Sequence, residues 1–411
     1  MPAVDPRDVT ARYQTAARIW LTAAVMALAL PERFRLGIWL PLHLALAGAV
    51  TTAISGAMQN FALALTASPD PPARLVRAQF WAVTFGAGSI AIGIPSHSSW
   101  LVAVGGALLV SGVATLGWIV LLARRRSLHR RHRVSLNAYT AAVTAFLVGG
   151  TLGALLGAGA IPSVAYARVR LAHLCLNVLG WGSLTVVGTL ITLLPTTLRI
   201  RIPAWHGAWC LSFLIAGVVG LAVGTSTALD PLVAIGGLLW AGGAALVGLL
   251  AASAMRTERK WRVPGAAMHL IAGVGWFVLS SVWLAVACWT GGAGLEGFRP
   301  ILVLGFVGGW LLQVLLGAWS YLLPMARPGH PDERRRELAA LELGAIVQVA
   351  ALNVGLALAV AGTHGWIAAT PADVGRWLVL AAGVAALAKA WTFPWLALLP
   401  FTSRRAADVW G

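Results

Sequence analysis

Polar and apolar positions alternate along this chain in long blocks. Apolar runs bounded by Arg, Pro or turn residues fall at 16–30, 37–66, 75–95, 99–123, 136–161, 165–195, 204–226, 229–254, 265–289, 300–325, 337–362 and 374–400. A helix rises 1.5 Å per residue, so about 20 apolar residues match the hydrocarbon thickness of a bilayer. The pattern predicts an all-α polytopic membrane protein of about twelve transmembrane helices, a single membrane domain over residues 1–411 whose main partner is lipid.

Composition agrees, since 59% of the 411 residues are hydrophobic and only 10% are charged, far from the balance of a soluble domain. The net charge of +17 suggests nucleic acid at first sight. The Lys and Arg residues, however, lie in short gaps between apolar runs and act as topology signals, so no nucleic-acid partner is expected. With the N-terminus placed in the cytoplasm, 23 of them fall on the cytoplasmic side, including the loop "RRRSLHRRHR". The other face has only Arg33, Arg35, Arg168, Arg170, Arg299 and Arg376. This bias and the even span count place both termini in the cytoplasm. The N-terminal stretch has acidic residues and no small-residue cleavage pattern, so no cleaved signal peptide is expected. Cys175, Cys210 and Cys288 show no CxxC or CxxCH spacing, which points away from a disulfide framework or covalently attached haem.

The chain also repeats itself. "HLCLNVLGWGSLTVVGTLITLLPTTLR" in span 6 aligns without gaps on "LVLGFVGGWLLQVLLGAWSYLLPMARP" in span 10 at an offset of 129 residues, matching Gly180 to Gly309, Gly188 to Gly317 and Pro195 to Pro324. Gly48 and Gly56 of span 2 echo the same spacing at an offset of 132. Three four-helix pseudo-repeats follow, residues 1–133, 134–262 and 263–411, each with a glycine-bearing second helix that permits close approach. Gly- and Leu-rich helices also resemble one another by chance.

Ionisable residues inside hydrocarbon are costly, and each one raises the question of a site. His43 in span 2 and His173 in span 6 both sit roughly 8–12 Å below the extracytoplasmic surface. Asn177 follows His173 by one turn, placed to orient an imidazole or a bound small molecule. His97 in "PSHSSW" and His364 in "GTHGW" belong to the same face. Imidazole suits copper and haem iron, and no carboxylate lies nearby to favour a hard cation. The candidate cofactor site is therefore His43, His173 and Asn177, with His43, His173, His97 and His364 as candidate metal ligands; donation by each imidazole to a backbone carbonyl or to a Ser or Asn of a neighbouring helix is the other reading. His129, His132 and His330 lie in basic loops, and His206 and His269 start spans 7 and 9 as interfacial residues or candidates for a second site.

A second polar set lies near the cytoplasmic ends of spans 11 and 12, where Glu342 and Lys389 are placed either to pair or, for Lys389, to snorkel. No HExxH, GxSxG or GxxxxGK[ST] motif is present.

These residues resemble a known group. Twelve spans in three units of four, with histidines on the second helix of the first two units, are similar to the haem-copper oxidase catalytic subunits and their NnrS-like relatives. "HLALAGAVTTAISGAMQ", "AHLCLNVLGWGSLTVVGTLITLLPTTLR" and "QVLLGAWSYLLP" look like the membrane domain associated with nitrite-reductase-like multicopper oxidases of high-GC Gram-positive bacteria. The resemblance implies a haem-copper-oxidase-like bundle, haem b or copper as cofactor, and an extracytoplasmic multicopper oxidase or nitrite reductase as partner. It carries His43 onto the low-spin haem position and His173 approximately onto a copper position. The oxidase pattern also puts histidines on helices 7 and 10; here span 10 has none and Leu302 stands in the place of His173, so a complete oxygen-reducing centre is not expected. The implied function is electron transfer, or copper or nitrogen-oxide handling, with a metal-free permease or structural anchor as the alternative.

Overall fold

The computed structural model describes residues 6–126, 132–201, 207–257, 263–327 and 329–399. Among these residues there is no β-strand. Twelve long helices follow the chain: α1 Pro6–Ala27, α2 Trp39–Thr66, α3 Ala73–Gly93, α4 Ser99–Arg126, α5 Arg133–Gly157, α6 Ser163–Leu198, α7 Gly207–Thr227, α8 Asp230–Thr257, α9 Gly265–Trp289, α10 Gly294–Met325, α11 Pro331–Thr363 and α12 Ala369–Leu396. Eleven of them, α2 to α12, are long and apolar enough to cross a membrane. The protein is a polytopic helical membrane bundle, because only a helix or closed barrel satisfies every backbone N–H and C=O without water.

α1 begins ten residues before the apolar run predicted at 16–30 and carries Arg12 and Arg18 within it. It lies antiparallel along α2: a Cβ on Gly48 would meet Trp20 at 2.8 Å, and one on Gly56 would meet Tyr13 at 2.5 Å.

The chain forms two compact units, Met1–Thr189 with Gly207–Gly243 and Ala285–Gly294, and Leu190–His206 with Ala244–Leu284 and Leu295–Gly411. In the first unit, α3 packs on α4 through Gly86 and Gly105, where an added Cβ would meet backbone atoms of the neighbour below 3.0 Å. Gly217 of α7 approaches Trp240 of α8 as closely. In the second, a Cβ added at Gly355 of α11 or at Gly375 of α12 would lie 2.7 Å from the other's carbonyl oxygen. Close approach without Cβ atoms lets dispersion contacts replace the hydrophobic drive that lipid removes.

Helices α2, α6 and α10 are not regular. Each widens into a π-helical stretch, Leu44–Val50 in α2, Cys175–Ser183 in α6 and Leu304–Leu312 in α10. The last two start 129 residues apart, the offset of the sequence alignment. Hydroxyls at the ends of the first two stretches cap carbonyls five residues back: Thr51 Oγ1 donates to Leu46 O at 2.9 Å and Ser183 Oγ to Val178 O at 2.9 Å. Such widenings are rare and concentrate at functional sites.

The glycines beside these stretches seat the second helix on the first with a recurring register. Gly48 and Gly56 face Trp20 and Tyr13, Gly180 and Gly188 face Ala145 and Ala138, and Gly309 and Gly317 face Trp276 and His269. In each pair, glycines eight apart meet residues seven apart on the partner helix, running in the opposite direction.

α11 differs from its predicted span, 337–362. It starts at Pro331 with a capping box in which Glu333 accepts the His330 backbone N–H at 3.2 Å. It then breaks after Leu341 and resumes at Ala345, because Gly344 adopts φ +65°. Hydropathy alone marks neither event, since helix ends follow backbone hydrogen bonding and capping.

Candidate functional site

α2 and α6 bring the two span-embedded histidines together in the first unit, within electrostatic reach of each other. His43 is the last residue before the first π-helical stretch, and His173 stands two residues before the second. Both rings are half-buried.

Each imidazole is fixed by one nitrogen. His43 Nδ1 lies 2.8 Å from Trp39 O one turn back, and its ring stacks on the Trp39 indole with centroids 4.2 Å apart. His173 Nδ1 lies 2.8 Å from Gly149 O on α5. A carbonyl only accepts, so both rings hold their proton on Nδ1 and leave Nε2 as a bare lone pair. This is the arrangement by which proteins orient an imidazole for a metal.

Asn177 supports the same corner. Its Nδ2 donates to His173 O at 2.8 Å and sits 3.1 Å from His173 Nδ1. With that nitrogen protonated, the second approach is packing against the ring edge, and the anchoring bond is the one to the carbonyl. Room for both side chains comes from α5: a Cβ on Gly153 would lie 2.4 Å from His173 Cε1, and one on Gly149 would lie 2.6 Å from Asn177 Nδ2. The residues that sequence reasoning passed over are thus Trp39, Gly149 and Gly153. The four-residue spacing of the two glycines is a small-xxx-small signal that points to a close helix contact, though not to its partner.

Trp181 ties the two second helices together, donating from Nε1 to Thr51 Oγ1 at 3.2 Å and stacking edge-on against Phe146 with centroids 5.0 Å apart.

The other predicted ligands sit in different settings. His97 closes the C-terminus of α3 in the left-handed region, φ 54°, where the Ser98 backbone N–H reaches back to Gly93 O at 2.9 Å; its side chain is exposed. His364, in the second unit, stacks on Trp366 with centroids 4.4 Å apart and meets the Phe298 edge at 5.5 Å. Among the described residues, no three His, Cys, Asp or Glu side chains converge in a metal-binding group. Cys175, Cys210 and Cys288 are buried and free, as their spacing predicts. His129 and His206 lie outside the described residues.

The third second helix is furnished differently. Leu302 stands two residues before its π-helical stretch, and Gly305 abuts Ser280 of α9, whose Oγ a Cβ there would meet at 2.1 Å. Trp276 Nε1 donates to Asn353 Oδ1 at 2.7 Å.

Glu342 and Lys389 share one end of the second unit through backbone groups. Lys389 Nζ donates to Leu343 O at 3.0 Å and to Leu341 O at 3.4 Å, the carbonyls released where α11 breaks. The Glu342 carboxylate accepts the Gly265 N–H at 2.6 Å, at the N-terminus of α9 where the helix dipole favours an anion, and it lies within electrostatic reach of Lys389. His269, expected at the interface, is in fact 2% exposed beneath Gly317.

No protein-family model matches the chain, and a search of curated proteins gives no match either. The chemistry has to be taken from the residues themselves.

Proposed function

We propose that the protein is an integral membrane haem- or copper-binding protein of the bacterial plasma membrane, built as three four-helix pseudo-repeats with both termini cytoplasmic, similar to haem-copper-oxidase-like and NnrS-like proteins. One observation supports this reading above the others: His43 and His173, on the second helices of two repeats, both spend Nδ1 on a backbone carbonyl and keep Nε2 as a lone pair. Two neutral imidazoles with oriented lone pairs are a donor set suited to haem b iron or copper. A group held there supplies one-electron chemistry. The chain's own residues then have clear tasks: His43 and His173 bind, Trp39 and Gly149 set the ring planes, and Asn177 packs the His173 ring in place. The repeated register of Gly48/Gly56, Gly180/Gly188 and Gly309/Gly317 supports the threefold internal architecture. Leu302 in place of a third histidine points to electron transfer, or copper or nitrogen-oxide handling, for an extracytoplasmic copper oxidase or nitrite reductase, and away from a complete oxygen-reducing centre.

The test is a visible spectrum and copper analysis of protein purified from haem- and copper-replete cells. A Soret band or stoichiometric copper is expected, lost in His43→Ala and in His173→Ala and kept in His330→Ala. Wild-type protein with neither group would overturn the assignment and leave a metal-free permease or anchor.

A further inference from the structure

A second polar site lies in the second unit, away from the histidine pair. A small cavity of about 10 Å³, room for a single water, is lined by Leu316, Ser320, Gln348 and Lys389 among others. Around it stand buried polar atoms without partners. Gln348 Nε2 lies 3.4 Å from His269 Nε2, while Gln348 Oε1 and His269 Nδ1 are both buried and unpaired. Reversing the amide exchanges which atom is stranded and removes neither vacancy, since His269 has one donor and one acceptor in its neutral form. Lys389 has three N–H donors and spends two on the Leu341 and Leu343 carbonyls. Lys389 and Gln348 both line this gap of water size, and Gln348 Oε1 is unspent.

The chain contains its own comparison. Tyr13 lies under Gly56 as His269 lies under Gly317, and Gln59 follows Gly56 by three residues as Ser320 follows Gly317. In the first unit the place is filled: Tyr13 Oη bonds to Gln79, and Gln59 Nε2 donates to Tyr13 Oη at 3.1 Å and to Gln79 Oε1 at 3.3 Å. In the second unit Ser320 is too short to reach across and turns its hydroxyl onto Leu316 O at 2.9 Å. The serine leaves the space that the glutamine fills.

We infer that this cavity binds one water molecule, which accepts a hydrogen bond from Lys389 Nζ and donates to Gln348 Oε1. The water extends a polar chain from the α11 break to the Gln348 amide, whose Nε2 donates to His269 Nε2 and so leaves the ring proton on Nδ1. A hydrated path is expected because an unpaired buried polar atom is costly and a polar gap of this size does not stay dry.

The test uses the full-length protein in detergent or nanodiscs. Ser320→Leu fills the gap with an apolar group. If water occupies the site, this variant melts at a lower temperature than wild type, because Lys389 and Gln348 lose a partner; if the cavity is dry, filling it raises the melting temperature and overturns the proposal. Ser320→Gln, copying Gln59, keeps the test decisive should the leucine variant not fold. It should hold its melting temperature while slowing solvent exchange of the Gln348 side-chain amide protons, read by ¹⁵N-glutamine NMR and identified by Gln348→Ala. Exchange at the wild-type rate in Ser320→Gln would overturn the water path.

Discussion

A histidine inside a membrane helix is defined less by its own identity than by which of its nitrogens is engaged. At His43 the engaging carbonyl belongs to the preceding turn, a local bond that any helix offers; at His173 it belongs to Gly149, 24 residues away on another helix. The second lock depends on close approach, and its weak point is Gly153. Gly153→Ala sets a methyl 2.4 Å from His173 Cε1, so the ring or the helix must shift. We expect a cost of about 1–3 kcal/mol from the overpacked contact, together with loss of any group bound at His173. Thermal unfolding in detergent and cofactor content measure the two effects separately. Retention of the cofactor with unchanged stability would show that the ring is not held as described. Asn177, His43 and His173 were legible as unusual polar residues in an apolar run, because hydrocarbon makes such residues expensive. Trp39 and Gly149 were not, because they act through backbone carbonyls that every residue possesses.

Helices in this protein meet through glycine. Where the chain uses glycine for contact, larger side chains should be refused, and where it does not, they should be tolerated or favoured. Gly317→Val drives atoms into His269 Cβ at 2.8 Å and Ala266 O at 2.9 Å, and we expect it to cost about 1–3 kcal/mol. Gly275, on the exposed face of α9, meets nothing within 4 Å, so Gly275→Ala should be neutral or stabilising by up to about 1 kcal/mol through helix propensity. Equal effects of the two substitutions in a detergent melt would argue against glycine-mediated packing. Trp181→Phe tests the link between α2 and α6, since it keeps the ring against Phe146 and removes the bond to Thr51. A loss of about 1 kcal/mol is expected, the usual net worth of a buried hydrogen bond, and no loss would mean that packing alone joins the two helices.

For the molecule as a whole, the distribution of charge is the property that bears on orientation. The three native cysteines are buried, so an introduced surface thiol reports its own position. The proposed orientation, with both termini cytoplasmic, expects Arg376→Cys to be labelled by a membrane-impermeant maleimide in intact cells and Arg130→Cys only after lysis; the reverse pattern would invert the topology. The two compact units cut through α6, α8, α9 and the start of α10 and do not follow the boundaries at 133/134 and 262/263. A repeat in sequence and a cluster in space answer different questions, because a helix shared by two clusters still belongs to one repeat.

The sequence alone determined the helical class, eleven of the twelve membrane runs by composition, the glycine spacing of the second helices and the polar residues worth explaining. These are one-dimensional properties: apolar length, period and the cost of burying charge are written in neighbouring residues. α1 needed the structure, because its Arg residues lower its apolar content while its packing along α2 holds it in place. Tertiary structure also decided the π-helical widening of α2, α6 and α10, the break at Gly344, the Lys389 contacts and the burial of His269. The Lys389 contacts and the burial of His269 depend on residues far apart in the chain, as does the bond of Trp181 to Thr51 across 130 positions. No local pattern encodes such a pair, since it exists only once the helices have packed.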